Sequence, residues 1–149
     1  MALQVGDKIP HFKAEDSHGV VFDSVDYVGQ QALVIYFYPK DDTPGCTTQA
    51  CTFRDQYEDF KDLGAEVIGI SADSVQSHLK FQSKFNLPFI LLSDKDKKIR
   101  KAFGVAKDYF GLIDGRTTYV VNAKGVIELI FDSTKAQDHI KIALEILKK

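Results

Sequence analysis

The chain predicts an α/β fold, a mixed central β-sheet flanked by helices with an N-terminal β-hairpin, formed as a single domain over residues 1–149. Three observations carry this expectation. Strand-like and helix-like segments alternate from Ala32 to Phe103, which implies parallel pairing of the early strands. The run Ala32–Tyr38 is apolar on both faces, as a strand covered on both sides must be. Late in the chain two strand-like runs flank Asn122-Ala123-Lys124-Gly125, a hairpin that pairs antiparallel.

In order, Asp16-Ser17-His18-Gly19 marks the turn of the first hairpin. After Ala32–Tyr38, apolar residues at Ala50, Phe53, Tyr57 and Phe60 fall three and four apart, the inward stripe of one helix. Ala65–Ile70 reads as a second buried strand. Asp73 as cap and Gln76 three positions on open the next helix, with Val75, Leu79 and Phe85 inward and a stop near Asn86, before Pro88. Phe89–Leu92 is a short strand and Asp94–Phe103 a short helix. Thr117–Val121 and Val126–Phe131 form the late hairpin. A capping box of Thr134 and Gln137 starts the last helix, which buries Ile140, Ala143, Leu144 and Leu147.

With 149 residues, 44% hydrophobic and 27% charged, the composition is that of an ordinary globular protein. A net charge of −2 without a long basic run points away from nucleic acid and acidic membranes. The longest apolar run has seven residues, against about 20 for a membrane span. The first residues lack the basic and apolar regions of a signal peptide, so a cytoplasmic location is the expectation. The two cysteines, Cys46 and Cys51, are the only ones. In a reducing compartment such a pair is more often catalytic or metal-binding than structural. Structural zinc takes four ligands, and His11, His18, His78 and His139 are scattered, so no metal is expected.

The chemistry gathers where the first buried strand turns into a helix. Thr43 suits the N-cap, and Pro44 then takes the first helical position, where its missing N–H costs nothing. Cys46 becomes the third helical residue, beside unpaired backbone N–H groups and the positive end of the dipole. Both favour thiolate, the nucleophilic form. Gly45 leaves the space before Cys46 free of a side chain. Five residues correspond to about 500° of helix, so Cys51 points roughly 140° away from Cys46, toward the polar side with Arg54 and Glu58. Their Cα atoms lie roughly 8 to 9 Å apart, too far for an unstrained disulfide. A disulfide therefore requires this part of the helix to unwind.

Pro39-Lys40-Asp41-Asp42-Thr43-Pro44-Gly45-Cys46 resembles the Pro-x-x-x-Thr-x-x-Cys signature of peroxiredoxins, and Cys51 five positions on resembles their Q-type, or bacterioferritin-comigratory, branch. The resemblance extends to the opening Val5-Gly6-Asp7-Lys8-Ile9-Pro10 and to the hairpin near 116–131. It implies a thioredoxin-like fold and reduction of hydroperoxides without a cofactor. It further implies that Cys46 is the peroxidatic cysteine, Cys51 the resolving one, Thr43 a hydrogen-bond partner of the peroxide and Pro39 a shield against water. Arg116, just before Thr117–Val121, matches the family's active-site arginine, which stabilises the thiolate and the peroxide oxygens. Thr43, Gly45, Cys46 and Arg116 would then line the substrate site. An external dithiol such as thioredoxin is the implied reductant. Relatives often carry an acidic residue where this chain has Gln49, so a role for that carboxylate is not carried over. The absence of a late cysteine favours a monomer over an intersubunit disulfide cycle.

Blander readings compete. A buried cysteine is usually an inert small hydrophobe, and the helix start with a second thiol nearby argues against that for Cys46. Thr43 serves equally as cap or as substrate ligand. The acidic turns Asp41-Asp42 and Asp94-Lys95-Asp96 are commoner as turns than as cation sites, and Tyr36, Phe37 and Tyr38 as core than as a binding stripe. The rival functions are a general disulfide oxidoreductase, which would normally carry Cys-x-x-Cys, and a non-enzymatic redox sensor or holdase.

Overall fold

A computed structural model describes residues 3–105, 107–108, 113–114, 116–133 and 135–149. The first hairpin forms as expected from β1 (Lys13–Asp16) and β2 (Val21–Asp23), and Gly19 takes the positive φ of 78° that its turn requires. A 3-10 turn at Ser24–Asp26 leads to β3 (Ala32–Phe37). Helices α1 (Pro44–Asp55) and α2 (Tyr57–Asp62) follow, then β4 (Ala65–Ser71), α3 (Val75–Phe85), β5 (Ile90–Ser93) and α4 (Lys98–Phe103). Two-residue strands β6 (Lys107–Asp108) and β7 (Ile113–Asp114) pair with each other. Next come β8 (Thr117–Val121), β9 (Ile127–Asp132) and α5 (Ala136–Leu147).

Seven strands form one mixed sheet in the order β2-β1-β5-β4-β3-β8-β9. Strands β3, β4 and β5 run parallel, while β1 joins β5, and β8 joins β3, antiparallel. Period-two alternation along β3 divides the core. Val34, Tyr36 and Tyr38 pack with Cys46, Ala50, Phe53, Phe60, Phe81, Ile140 and Ala143, from α1, α2, α3 and α5. Leu33, Ile35 and Phe37 pack on the other side with Phe12, Phe22, Ile99 and Phe103, from the N-terminal segment and α4. Tyr36, Phe37 and Tyr38 are thus core residues.

One register decides where the site lies. Phe37 opposes Thr117 in the antiparallel β3–β8 pair. Arg116, immediately before Thr117, therefore emerges beside the end of β3 from which the chain turns into α1.

Several expectations need correction. The stripe through Ala50, Phe53, Tyr57 and Phe60 belongs to two helices, which part at Gln56. Thr48 and Thr52 donate their hydroxyls to the carbonyls of Pro44 and Thr48, four residues back. Such bonds compete with the helical ladder and bend it. Ser74, not Asp73, caps α3, accepting from Ser77 N at 3.1 Å. The Asp73 carboxylate is already taken by Asp41 N and the Ser71 hydroxyl. With the start so set, His78 and Phe81 face the core and Leu79 is exposed. The helix expected from Asp94 begins only at Lys98, because Asp94 folds back to accept from Ile99 N and Arg100 N. No side-chain bond caps α5 at Lys135, and Thr134 lies outside the described residues. The β6–β7 pair has no counterpart in the sequence pattern, since two residues per strand leave no alternation to read.

Candidate active site

At the end of β3 the chain passes through Pro39, half-buried, and Lys40 before Asp42, which adopts a left-handed φ of 56°. Thr43 then flanks α1 with φ −96° and ψ 156°, Pro44 is the first helical residue, and Cys46 the third, as the sequence predicts. The first helical bond runs from Thr47 N to Thr43 O at 2.8 Å. The N–H groups of Gly45 and Cys46 belong to the first turn, which has no intrahelical acceptors. The expected side-chain cap is not made: the Thr43 hydroxyl donates to Lys40 O at 2.9 Å. Its lone pairs remain available to an incoming donor.

Cys46 is 1% exposed. Arg116, itself buried, donates from Nη2 to Cys46 Sγ at 3.4 Å and from Nη1 to Gln49 Oε1 at 2.5 Å. Three positions on from Cys46, Gln49 shares the inward face of α1 and is fully buried. Its amide oxygen fixes the guanidinium plane, and its Nε2 has no partner among the described residues. Tyr36 lies in the same core cluster, stacked on Phe53 at 4.5 Å, with a hydroxyl likewise unpartnered among the described residues. Burial, and after it the charge of Cys46, pushes the Tyr36 phenol well above its ordinary value, so it stays a neutral O–H.

Gly45 is exposed beside a pocket that Pro44 and Thr48 also line, and on its Cβ side it faces Arg116. A Cβ there would meet Arg116 Nη2 at 3.0 Å. Gly45→Ala is expected to leave thermal stability near wild type, because alanine favours helix, while displacing the guanidinium and slowing peroxide reduction several-fold. Rate measurements on the purified variant beside its melting curve check this.

Cys51, half-buried, lies on α1 but outside the cluster of Cys46, Ala50 and Phe53, and both cysteines are free thiols. Thus α1 keeps them apart as its geometry demands. The site gathers Cys46 and Arg116 with Gly45 at its rim. Thr43 and Pro39 lie in the loop that leads into α1, and the Thr43 hydroxyl is engaged with Lys40 O. Gln49 is the site residue that sequence reasoning passes over, because there it figures only as a missing carboxylate. Its i, i+3 spacing from Cys46 is the signal that places it on the same face.

Behind the site, α5 supports Arg116 through His139. The fully buried His139 ring takes Thr118 Oγ1 on Nδ1 at 2.7 Å and meets Ser133 O from Nε2 at 2.8 Å, while Ser133 N donates to Arg116 O. Burial lowers the pKa of His139 from 6.5 to about 4, with Arg116 adding to the shift and the Ser133 bond opposing it. Between these values the unfolded chain binds the proton and the folded chain does not. Stability is therefore full above 6.5 and falls as the pH drops toward 4, by about 3 kcal/mol. Urea titrations of wild type and His139→Asn at pH 7.5 and 5 check this: the variant is expected to lose less on acidification.

Known proteins are similar to this chain in sequence and in fold. A model of the AhpC/TSA family matches residues 5–130. Chloroplastic peroxiredoxin Q of Populus jackii is 48% identical over 144 residues, 96% of this chain and 67% of the relative. That of Sedum lineare is 46% identical over 96% of this chain and 77% of its own length. Among solved structures, a cysteine-to-serine variant of PrxQ from Xylella fastidiosa superposes with a TM-score of 0.91 at 32% identity, over 99% of this chain and 97% of that one. Peroxidoxin BcpB of Mycobacterium tuberculosis gives 0.90 at 30%, over 98% and 97%. The bacterioferritin comigratory protein of Xanthomonas campestris, described with alkyl peroxide reduction activity, gives 0.85 at 32%, over 95% of this chain and 98% of that one. A thioredoxin-like sheet carrying two thiols on one helix, in this company, defines a thiol-dependent peroxidase. The chain belongs to the AhpC/TSA family, in its peroxiredoxin Q branch.

Proposed function

We propose that Cys46 reduces hydrogen peroxide and organic hydroperoxides and that Cys51 resolves the product. The observation that carries the assignment of Cys46 is the Arg116 guanidinium 3.4 Å from its sulfur at the start of α1. Cys46 thiolate attacks the terminal peroxide oxygen, forming S–O as O–O breaks. The departing oxygen takes up a proton and leaves as water or an alcohol, and the sulfur becomes a sulfenic acid. Arg116 and the first-turn N–H groups face the charge that develops on those oxygens. Thr43 accepts a hydrogen bond from the peroxide, and Pro39 limits water on the approach side.

Resolution requires α1 to open. Its first turns carry Gly45, Thr47, Thr48 and Thr52, all poor helix formers. The buried residues this stretch must withdraw are Cys46, Gln49 and Ala50, with none of the apolar bulk of Phe53. Beyond it, Phe53 is fully buried and Arg54 Nη1 donates to Phe85 O at 2.7 Å. Unwinding is therefore confined to about Pro44–Thr52. The Cys51 thiol then displaces hydroxide from the sulfenic acid, water leaves, and the Cys46–Cys51 disulfide forms. A thioredoxin-type dithiol reduces it by exchange. Since one helix carries both thiols, the monomer suffices as working unit, and a reducing compartment such as the cytoplasm supplies the dithiol.

A Cys51→Ser variant tests this division of roles. One equivalent of peroxide should add one oxygen to Cys46, seen by intact mass, and turnover with thioredoxin should then stop. An unmodified Cys46 would contradict the assignment.

A further inference from the structure

A second buried polar cluster grips the chain just before α1. Asp41 is 7% exposed and His78, from α3, is fully buried. Asp41 Oδ1 accepts from the Tyr38 hydroxyl at 2.6 Å and Oδ2 from the Ser77 hydroxyl at 2.8 Å. His78 Nδ1 lies 2.7 Å from the same Oδ2, and its Nε2 lies 2.9 Å from Leu92 O on β5. Asp41 N donates to Asp73 Oδ2 at 2.8 Å, and Asp73 takes the Ser71 hydroxyl at 2.6 Å. Nearer the strand, Arg100 Nη2 donates to Tyr38 O at 3.0 Å.

We propose that His78 is a positioning residue for the peroxidatic cysteine, acting through Asp41. The ring bridges β5 to the loop, with the Tyr38 hydroxyl a further neighbour 3.5 Å from Nδ1. From the held Asp41 the chain runs through the left-handed Asp42 and through Thr43 directly into α1. Where Asp41 is held thus sets where α1 starts, and with it the direction of Cys46 Sγ toward Arg116. Misplacing a reacting group by about 1 Å can cost roughly a hundredfold in rate. The grip lies outside α1, so it persists when that helix opens and anchors the chain from which the unwound stretch departs. This inference rests on the peroxidase reading of Cys46.

The test measures the two half-reactions separately. In His78→Gln, the second-order rate constant for peroxide oxidation of Cys46 is expected to fall roughly tenfold or more. The reaction of the preformed disulfide with thioredoxin should stay near wild type, because α1 is already open in that state. A merely destabilising change would not divide the two half-reactions in this way. Asp41→Asn, which leaves His78 in place, should slow peroxide oxidation likewise, again with little change in the thioredoxin step. A wild-type peroxide rate in either variant, or equal slowing of both half-reactions, would overturn the proposal. Failure of the wild type itself to oxidise at Cys46 would instead overturn the peroxidase reading on which it stands.

Discussion

Cys46→Ser is expected to bring thioredoxin-coupled reduction of hydrogen peroxide and tert-butyl hydroperoxide below detection. A serine hydroxyl at this position forms no thiolate, the attacking species, and no sulfenic acid can follow. Cys51 cannot substitute. It lies outside the cluster that holds Cys46, and the Arg116 guanidinium is spent on Cys46 and Gln49. The fold should survive, because the side chains are nearly isosteric and Arg116 Nη2 can donate to the new hydroxyl. Circular dichroism beside an NADPH-linked thioredoxin and thioredoxin-reductase assay checks both halves. Full turnover by a folded Cys46→Ser protein would move the chemistry elsewhere and revive the general oxidoreductase or the sensor as readings.

Arg116→Met should lower kcat/KM for peroxide by roughly a hundredfold or more, the scale seen when a donor facing developing charge is removed. Methionine keeps much of the apolar bulk and removes every donor. The charge-assisted bond to Cys46 Sγ is lost, and so is the bond that orients the buried Gln49 amide. Some destabilisation follows, about 1 to 3 kcal/mol, because Gln49 is then left without a partner on either amide atom among the described residues. Lysine restores charge but not the fork that reaches sulfur and amide together, so Arg116→Lys should recover only part of the rate. Stopped-flow oxidation rates for the three proteins check the order. A Met variant as fast as wild type would show that the helix start alone suffices.

Much of the fold and of the site is legible in the amino-acid order. The Ala32–Tyr38 run specifies a central strand because apolar residues on both faces admit no other stable placement in an α/β chain. Thr43-Pro44 locates the helix start to the residue, which puts Cys46 at its third position. What the order of residues hides depends on partners distant along the chain. The Asp73 carboxylate would be free to cap α3 if Asp41 N, 32 positions earlier, did not take it. His78 is, by sequence, one of four scattered histidines. Its meaning comes from Leu92 O and Asp41, which tertiary folding alone brings to its two nitrogens. Gln49 looks inert for want of a charge. In the fold an amide oxygen serves to orient Arg116 just as well, since that bond needs only an acceptor.

In the proposed cycle α1 opens between the two chemical steps. Hydrogen exchange read by mass spectrometry, before and after one equivalent of peroxide, observes that opening directly. Oxidation is expected to remove two hydrogens and yield a peptide linked between Cys46 and Cys51. Amides of about residues 47–56, whose helical acceptors are the carbonyls of residues 43–52, should lose protection, while those of Phe60, Leu63 and Gly64 and of β3 keep theirs. A Cys46–Cys51 disulfide formed with the α1 amides as protected as before would contradict this mechanism, because a wound helix cannot bring the two sulfurs together.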